Sequence, residues 1–255
     1  MKNQNLTLEK KDHIAIVTIN RPPANSWNMA AMEEFEKILD DVENDKAVRV
    51  VVLTGAGEKC FSAGMDVKDP PQSENRSIGQ ELWRRVDRFT KPIIAAINGH
   101  ALGGGLELAM ACHFRIMADS PKIQIGLTEL NLGLIPGWGG TQRMSRLLGK
   151  ANALELILFS KRLTAQEATS IGLVNQIAPP EKLMEVALAL AGQLAERPPL
   201  AVSAVLKAIT AGIYDGMDTG LSTEVEESKV LKNSKDVIEG FTAFMEKRKP
   251  VFKGE

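Results

Sequence analysis

The chain of 255 residues contains 31 basic and 32 acidic residues, so its formal net charge at pH 7 is -1. This balance argues against a nucleic-acid-binding surface or a polybasic membrane anchor, since both need clustered positive charge. With 44% apolar and 25% charged residues, the composition is typical of a globular protein with a sizeable core.

The amino-terminal segment and the cysteines indicate the cellular setting. MKNQNLTLEKKDH lacks the apolar centre of a secretory signal, and no apolar run approaches the ~20 residues that a membrane-spanning helix needs. Cys60 and Cys112 lie far apart and match neither metal-ligand nor disulfide spacing. We therefore expect a reduced, cytoplasmic protein with no metal site and no membrane association.

Strand and helix patterns alternate through the first part of the chain. Continuous apolar runs such as VRVVVLT and PIIAAIN are typical of parallel strands buried on both faces. Apolar residues at helical spacing follow such runs, which predicts an α/β core with right-handed crossovers. Strands are predicted at 13–20, 48–54, 92–98, near 116 and at 122–125, and helices at 28–42, 82–90, 106–112 and 141–148.

The carboxy-terminal part of the chain has a different pattern. From residue 179 onward we find no strand, and helices are predicted at 181–196, 199–212, 220–231 and 234–249. The Pro198-Pro199 pair marks the boundary, because proline interrupts a helix. We expect an α/β core over residues 1–197 and a helical region over 198–255.

Three glycines, Gly103 to Gly105, follow one buried strand and precede a helix that carries Glu107. Each glycine costs a helix interior about 1 kcal/mol relative to alanine, so the triplet needs a reason. Unpaired N–H groups at a helix start can bind an anion or a developing oxyanion. The alternative is a tight turn for close packing, with Glu107 complementing the helix dipole. The spacing fits neither a dinucleotide fingerprint nor a phosphate-binding P-loop.

Two further loops contain candidate functional residues. FSAGMD, at residues 61–66, follows another buried strand and can offer a free N–H from Met65; the alternative is an ordinary turn with Asp66 as a helix N-cap. In the loop at 126–143, Glu129 stands among leucines. Apolar surroundings raise the pKa of a carboxylate, which suits a general acid or base. The alternative is an exposed loop glutamate.

The segments FSAGMD, NGHALGGGLELAMAC and GLIPGWGGTQR, in this order and spacing, resemble the crotonase (enoyl-CoA hydratase/isomerase) superfamily. The resemblance covers nearly the whole chain. It implies a spiral of repeated β-β-α units with a carboxy-terminal helical trimerisation region, assembled as a homotrimer or a dimer of trimers. It also implies an acyl-CoA thioester substrate and no separate cofactor, because coenzyme A is part of the substrate.

The resemblance assigns a role to four residues. The backbone N–H groups of Met65 and Gly104 would polarise the thioester carbonyl. Glu107 would orient and activate the water that attacks C3, and Glu129 would deliver a proton to C2. The implied reaction adds water across the 2,3-double bond of a trans-2-enoyl-CoA, as in fatty-acid β-oxidation, to give a 3-hydroxyacyl-CoA.

Further positions are implied as contacts to coenzyme A or substrate, with Phe244 and Lys247 coming from a neighbouring subunit. These are Ala24, Ala63, Asp66, Val67, Lys68, Trp138, Phe244 and Lys247. A core position for Trp138 and a solvated side chain for Lys247 are the alternatives. His100 is expected to have a structural role.

The sequence departs from the family's commoner pattern in three ways. Leu127-Thr128 precedes Glu129 where Gln-Pro is frequent, His113 replaces a common aspartate, and the interval between the two glutamates is about two residues longer. These departures leave the acyl-chain preference open. The alternatives are an enoyl-CoA isomerase, a hydratase of branched or cyclic acyl-CoA, and an RNA-binding or scaffold protein on the same fold.

Overall fold

A six-stranded sheet lies at the centre of the computed structural model, which describes residues 4–69 and 77–255. Its strands in spatial order are β1 (Leu6–Lys11), β2 (Ile14–Ile19), β3 (Val50–Gly55), β5 (Ile93–Ile97), β7 (Phe114–Ala118) and β9 (Gln176–Ala178). β1 pairs antiparallel with β2, and every later pair in this sheet is parallel.

The apolar runs of the sequence form the middle of this sheet. Every residue of β3 and β5 is buried, as expected for strands covered on both faces. Helix α6 (Leu183–Ala195) packs against both strands. Its buried positions, Ala187, Ala191 and Ala195, recur every fourth residue, so a smooth helix face contacts the sheet. The predicted α/β core is confirmed.

A second, three-stranded parallel sheet consists of β4 (Cys60–Ser62), β6 (His100–Leu102) and β8 (Ile125–Gly126). Cys60 pairs with His100, and Ala101 pairs with Ile125. The carboxyl ends of parallel strands share one edge of a sheet, so the three glycine-containing loops leave this sheet side by side.

Several predicted boundaries differ from the structure. The strand predicted at 122–125 is only Ile125–Gly126, because Ile123 N–H donates to Ser120 O in a turn. The helix predicted at 82–90 is α2 (Ile78–Asp87). The last helix, predicted at 234–249, is α9 (Lys235–Glu246), because Lys247 adopts left-handed backbone with φ of 54°.

The remaining helices are α1 (Met29–Asn44), α3 (Gly104–Ala111), α4 (Gly140–Leu158), α5 (Ala165–Ser170), α7 (Pro199–Asp215) and α8 (Met217–Leu231). Short 3₁₀ helices span Glu129–Leu132 and Pro180–Lys182.

α7 and α8 pack against each other, and apolar side chains on them stay about half exposed in the single chain. These side chains include Val205, Ile209, Ile213, Leu221 and Val225. In the described parts of the chain, no helix combines the length and apolar character that crossing a membrane requires.

Edge-to-face contacts between aromatic rings position α3. Trp83 of α2 lies 5.0 Å from Trp27 and 5.6 Å from Trp138 between ring centroids. The indole N–H of Trp83 donates to the carbonyl oxygen of Gly104 at 3.0 Å. A buried indole N–H needs such a partner. The start of α3 is therefore held by α2.

The packing of α3 against β4 predicts a large cost for one added methyl group. A Cβ at Gly105 would lie 2.0 Å from the carbonyl oxygen of Ser62, so backbone must move. We expect Gly105→Ala to lower the free energy of unfolding by about 1–3 kcal/mol in urea titrations. Gly192→Ala is the control, because a Cβ there would meet no described atom within 4 Å apart from the adjoining backbone of its own helix. It should stabilise α6 by about 0.5–1 kcal/mol. Equal effects at the two positions would contradict the packing argument.

Candidate active site

The loop after β4 presents the N–H of Met65. Trp27 and Met65 form a parallel bridge in which Trp27 N–H donates to Gly64 O and Asp66 N–H donates to Trp27 O. This bonding pattern leaves the N–H of the bridged residue, Met65, on the opposite side of the strand. The Met65 N–H has no backbone acceptor among the described residues. Gly64 makes the turn possible with a φ of 83°.

The loop after β6 presents the N–H of Gly104, the first residue of α3. The first N–H groups of a helix lack intrahelical acceptors. A Cβ at Gly64 would lie 2.6 Å from Gly104 N, so the two loops are in close contact. A Cβ at Gly104 would lie 2.3 Å from the Trp138 ring. Only glycine lets the two free N–H groups and the Trp138 ring come this close.

Glu107, one turn into α3, is buried with 1% exposure. Its Oε1 accepts hydrogen bonds from Trp138 N–H at 2.9 Å and from Gly140 N–H at 2.7 Å. Burial raises the pKa of Glu107 to about 7; the Gly140 N–H opposes this rise and the charge of Glu129 adds to it. The carboxylate and the carboxylic acid are thus both accessible near neutral pH.

Glu129 begins the 3₁₀ helix that follows β8. Its Oε1 would lie 3.2 Å from a Cβ at Gly103, which places the carboxyl group beside the start of α3. Burial raises the pKa of Glu129, and its Oε2 is buried with no hydrogen-bond partner in the described residues. The loop glutamate is therefore largely withdrawn from solvent, in agreement with its apolar sequence neighbours.

These four groups surround one cavity of about 270 Å³. It is lined by Ala63, Met65, Val67, Gly103, Gly104, Glu107, Thr128, Glu129, Leu132, Leu134, Ile135, Gly137 and Trp138. The predicted glutamates and N–H donors are therefore brought together. One cavity holds two acids and two free N–H groups, so it can polarise a carbonyl and move protons next to it.

A second cavity, of about 730 Å³, shares Ala63, Met65 and Val67 with the first. Ala24, Asp66 and Lys68 also line it. The interpretation of Asp66 as a helix N-cap is wrong, because residues 67–69 are not helical. Instead, Asp66 forms an ion pair with Arg21 at 3.0 Å and accepts from Lys68 N–H.

Three predicted positions lie apart from this pair of cavities. Phe244 is 83% exposed on α9, and Lys247 ends that helix. Neither is among the residues that line the two cavities within one chain, as far as the chain is described. His100 links β6 to the segment before β8, since its Nδ1 lies 3.1 Å from the N of Gln124.

Sequence comparison connects this geometry to known proteins. The sequence pattern that defines the family Enoyl-CoA hydratase/isomerase matches residues 9–255. The chain belongs to this family. It is 41% identical to the short-chain-enoyl-CoA hydratase of Clostridium acetobutylicum, over 98% of this chain and 97% of that protein. It is 39% identical to the crotonyl-CoA hydratase of Syntrophomonas wolfei, over 99% of each.

Structure comparison agrees with this family membership. A crystal structure of enoyl-CoA hydratase from Bacillus anthracis has a TM-score of 0.93 and 42% sequence identity with this chain. The match covers 99% of this chain and all of that one. The resemblance to the crotonase superfamily and its α/β fold are confirmed.

Sequence reasoning missed the groups that hold Glu107. The donors are backbone N–H groups of Trp138 and Gly140, and backbone donors leave no signature of residue type. Both donors belong to the segment PGWGG at residues 136–140. Its closely spaced glycines were the available signal, because a Cβ at Gly140 would lie 2.9 Å from Glu107 Oε1.

The buried state of Glu107 predicts a pH dependence of stability. Folding raises its pKa from 4.5 to about 7, so this carboxyl group favours the folded state below pH 4.5 and loses that contribution as pH rises through about 7. Relative to Glu107→Gln, the native protein should lose up to about 3 kcal/mol of unfolding free energy across this window. Urea titrations of both proteins at pH 5 and pH 8 measure the difference. A difference that does not change with pH would exclude the raised pKa.

Proposed function

We propose that this protein is an enoyl-CoA hydratase, a hydro-lyase that converts a trans-2-enoyl-CoA and water into a 3-hydroxyacyl-CoA. The observation that carries this proposal is the cavity in which Glu107 and Glu129, both with raised pKa, face the free N–H groups of Met65 and Gly104. Family membership and the hydratase names of full-length relatives support the same reaction.

The two N–H groups form the proposed oxyanion hole. The thioester oxygen accepts from Met65 and Gly104, and attack at C3 moves electron density onto that oxygen as an enolate develops. Fixed donors bind this charge more strongly than the neutral carbonyl, so they stabilise the transition state more than the substrate.

The two glutamates share the proton transfers. Glu107 takes a proton from water, whose oxygen bonds to C3, and Glu129 gives a proton to C2. Each carboxyl group is held by backbone N–H groups that favour its ionised form, Glu107 by Trp138 and Gly140 and Glu129 by Thr128 and its own N–H, and burial of each opposes this. The two carboxyl groups titrate as a coupled pair. After each turnover, exchange of protons with solvent restores their starting protonation states.

No separate cofactor takes part in the proposed reaction, since coenzyme A belongs to the substrate. Its nucleotide end is proposed to occupy the second cavity, beside Ala24, Ala63, Asp66, Val67 and Lys68. Trp138 and Met65 contact the acyl end. Phe244 and Lys247 reach coenzyme A from a neighbouring subunit in this proposal, which fits their distance from the cavities of their own chain.

Assembly follows from the same proposal. The half-exposed apolar side chains of α7 and α8 form a surface that a second copy would cover. We therefore assign residues 1–197 to the acyl-CoA-binding core and 198–255 to oligomerisation, in a cytoplasmic homotrimer or dimer of trimers.

Substitution of either glutamate tests the mechanism. Glu107→Gln and Glu129→Gln keep the side-chain shape but remove proton transfer, so each should lower the kcat for crotonyl-CoA hydration by about 10²–10⁴-fold. The loss of enoyl absorbance measures the rate. Glu155→Gln, a control in α4 whose carboxylate is paired with Lys161 at the surface, should retain the parent rate.

Either variant turning over at a near-normal rate would contradict the assigned roles. A 3-enoyl-CoA tested alongside distinguishes hydration from isomerisation. RNA binding that weakens with salt, without any hydration, would instead favour the non-enzymatic alternative.

Light scattering tests the proposed assembly. We expect a particle of three or six times the chain mass of 27.7 kDa, because the exposed apolar faces of α7 and α8 favour association. The particle mass should not change when the protein is diluted tenfold. A particle of 27.7 kDa would contradict the assembly without affecting the chemistry proposed for the cavity.

A further inference from the structure

The turn formed by residues 136–140 holds the catalytic carboxylate, and its own conformation must be fixed. Trp138 N–H and Gly140 N–H both donate to Oε1 of Glu107. The peptide group between Trp138 and Gly139 lies between these donors, and Gly139 has a φ of 101°. The orientation of this peptide group is set by ψ of Trp138 and φ of Gly139, and these two angles determine how the two donors are oriented relative to each other.

Arg143 holds that peptide group from the other side. Its Nη1 donates to the carbonyl oxygen of Trp138 at 2.6 Å. Arg143 lies on the first turn of α4, directly after the 136–140 segment. Trp138 is therefore fixed at both its polar backbone atoms, with N–H on Glu107 and the carbonyl oxygen on Arg143.

Asp87, the last residue of α2, anchors Arg143. Arg143 Nε donates to Asp87 Oδ2 at 2.8 Å, and Nη2 donates to the same oxygen. The side chains are only 6% and 9% exposed. The hydroxyl of Tyr214, on α7, also donates to Asp87. The guanidinium fork is thus held in one orientation while a remaining N–H reaches Trp138.

The burial of this ion pair is not explained by stability alone. Removing two charges from water is costly, and a well-packed apolar pair of similar volume is often as stable or more so. What apolar side chains cannot supply is a directed donor to the Trp138 carbonyl oxygen. That bond holds the peptide group that lies between the two donors to Glu107.

We propose that Arg143 is a positioning residue: anchored by Asp87, it orients the Trp138–Gly139 peptide so that two backbone N–H groups converge on Glu107. This role rests on the proposed hydration function. Neither Arg143 nor Asp87 is among the described residues that line the two cavities.

Three variants test this proposal. Arg143→Met removes the fork and leaves Asp87 unpaired. Asp87→Leu/Arg143→Met replaces both charges with apolar side chains, so stability should recover. Arg143→Lys keeps a charge, but its single ammonium cannot reproduce the planar fork. Arg85→Met is the control, because it removes an α2 arginine paired with Asp40 and Glu43 that makes no bond to residues 136–140.

We expect the double variant to unfold at a higher urea concentration than Arg143→Met, yet to hydrate crotonyl-CoA with a kcat about 10²-fold lower than that of the parent. KM should stay near the parent value, since Met65 and Gly104 are unchanged. The acid limb of its kcat/KM profile should move about one pH unit upward, because the carboxylate of Glu107 loses both its aligned donors and the nearby charge of Arg143. Arg143→Lys keeps the charge, so any upward shift that remains in this variant reports the loss of alignment. Arg143→Lys should fall between the parent and the double variant, and Arg85→Met should match the parent.

A stable double variant with parent kcat and an unmoved acid limb would overturn the proposal, as would kcat losses that follow stability alone across the variants. A stability measurement, which needs no enzymatic activity, tests the positioning role separately from the hydration proposal. The pH dependence of stability that Glu107→Gln removes should shift upward in the double variant. If the parent protein fails to hydrate enoyl-CoA, that shift still tests the positioning role.

Discussion

The hydrogen bonds that join β4, β6 and β8 determine where every group of the site lies. Each strand is only two or three residues long, and each ends where a functional loop begins. Their parallel pairing brings Met65, Gly104 and Glu129 to one edge. The central six-stranded sheet contributes none of these residues, and its strand β3 contacts β4 of the smaller sheet.

A buried carboxylate close to the proposed oxyanion hole creates an electrostatic conflict. Burial and the neighbouring Glu129 both favour the neutral form of Glu107, whereas two backbone N–H groups favour its charged form. These opposing effects together place the pKa of Glu107 at about 7. Backbone donors carry no net charge, so they hold the carboxylate without forming an ion pair that would weaken it as a base.

The sequence was sufficient for features that depend on residue type. Burial of β3 and β5 follows from uninterrupted apolar runs, and the raised pKa of Glu129 agrees with the expectation from its leucine-rich segment. Features that depend on backbone geometry were missed. β4 and β6 are too short to show periodicity, and they exist because tertiary pairing supplies their partners. The donors to Glu107 are likewise backbone atoms, which any residue type could supply.

The apolar side chains that line the first cavity contribute less to the stability of the fold than its buried glutamate does. Leu132, Leu134 and Ile135 are 68%, 49% and 73% exposed in the single chain, so exchanging them costs the folded chain little buried area. Glu107, in contrast, is surrounded by α3, α4 and their connecting backbone. Substitutions at these three positions can therefore reshape the cavity wall while the packing around Glu107 stays the same.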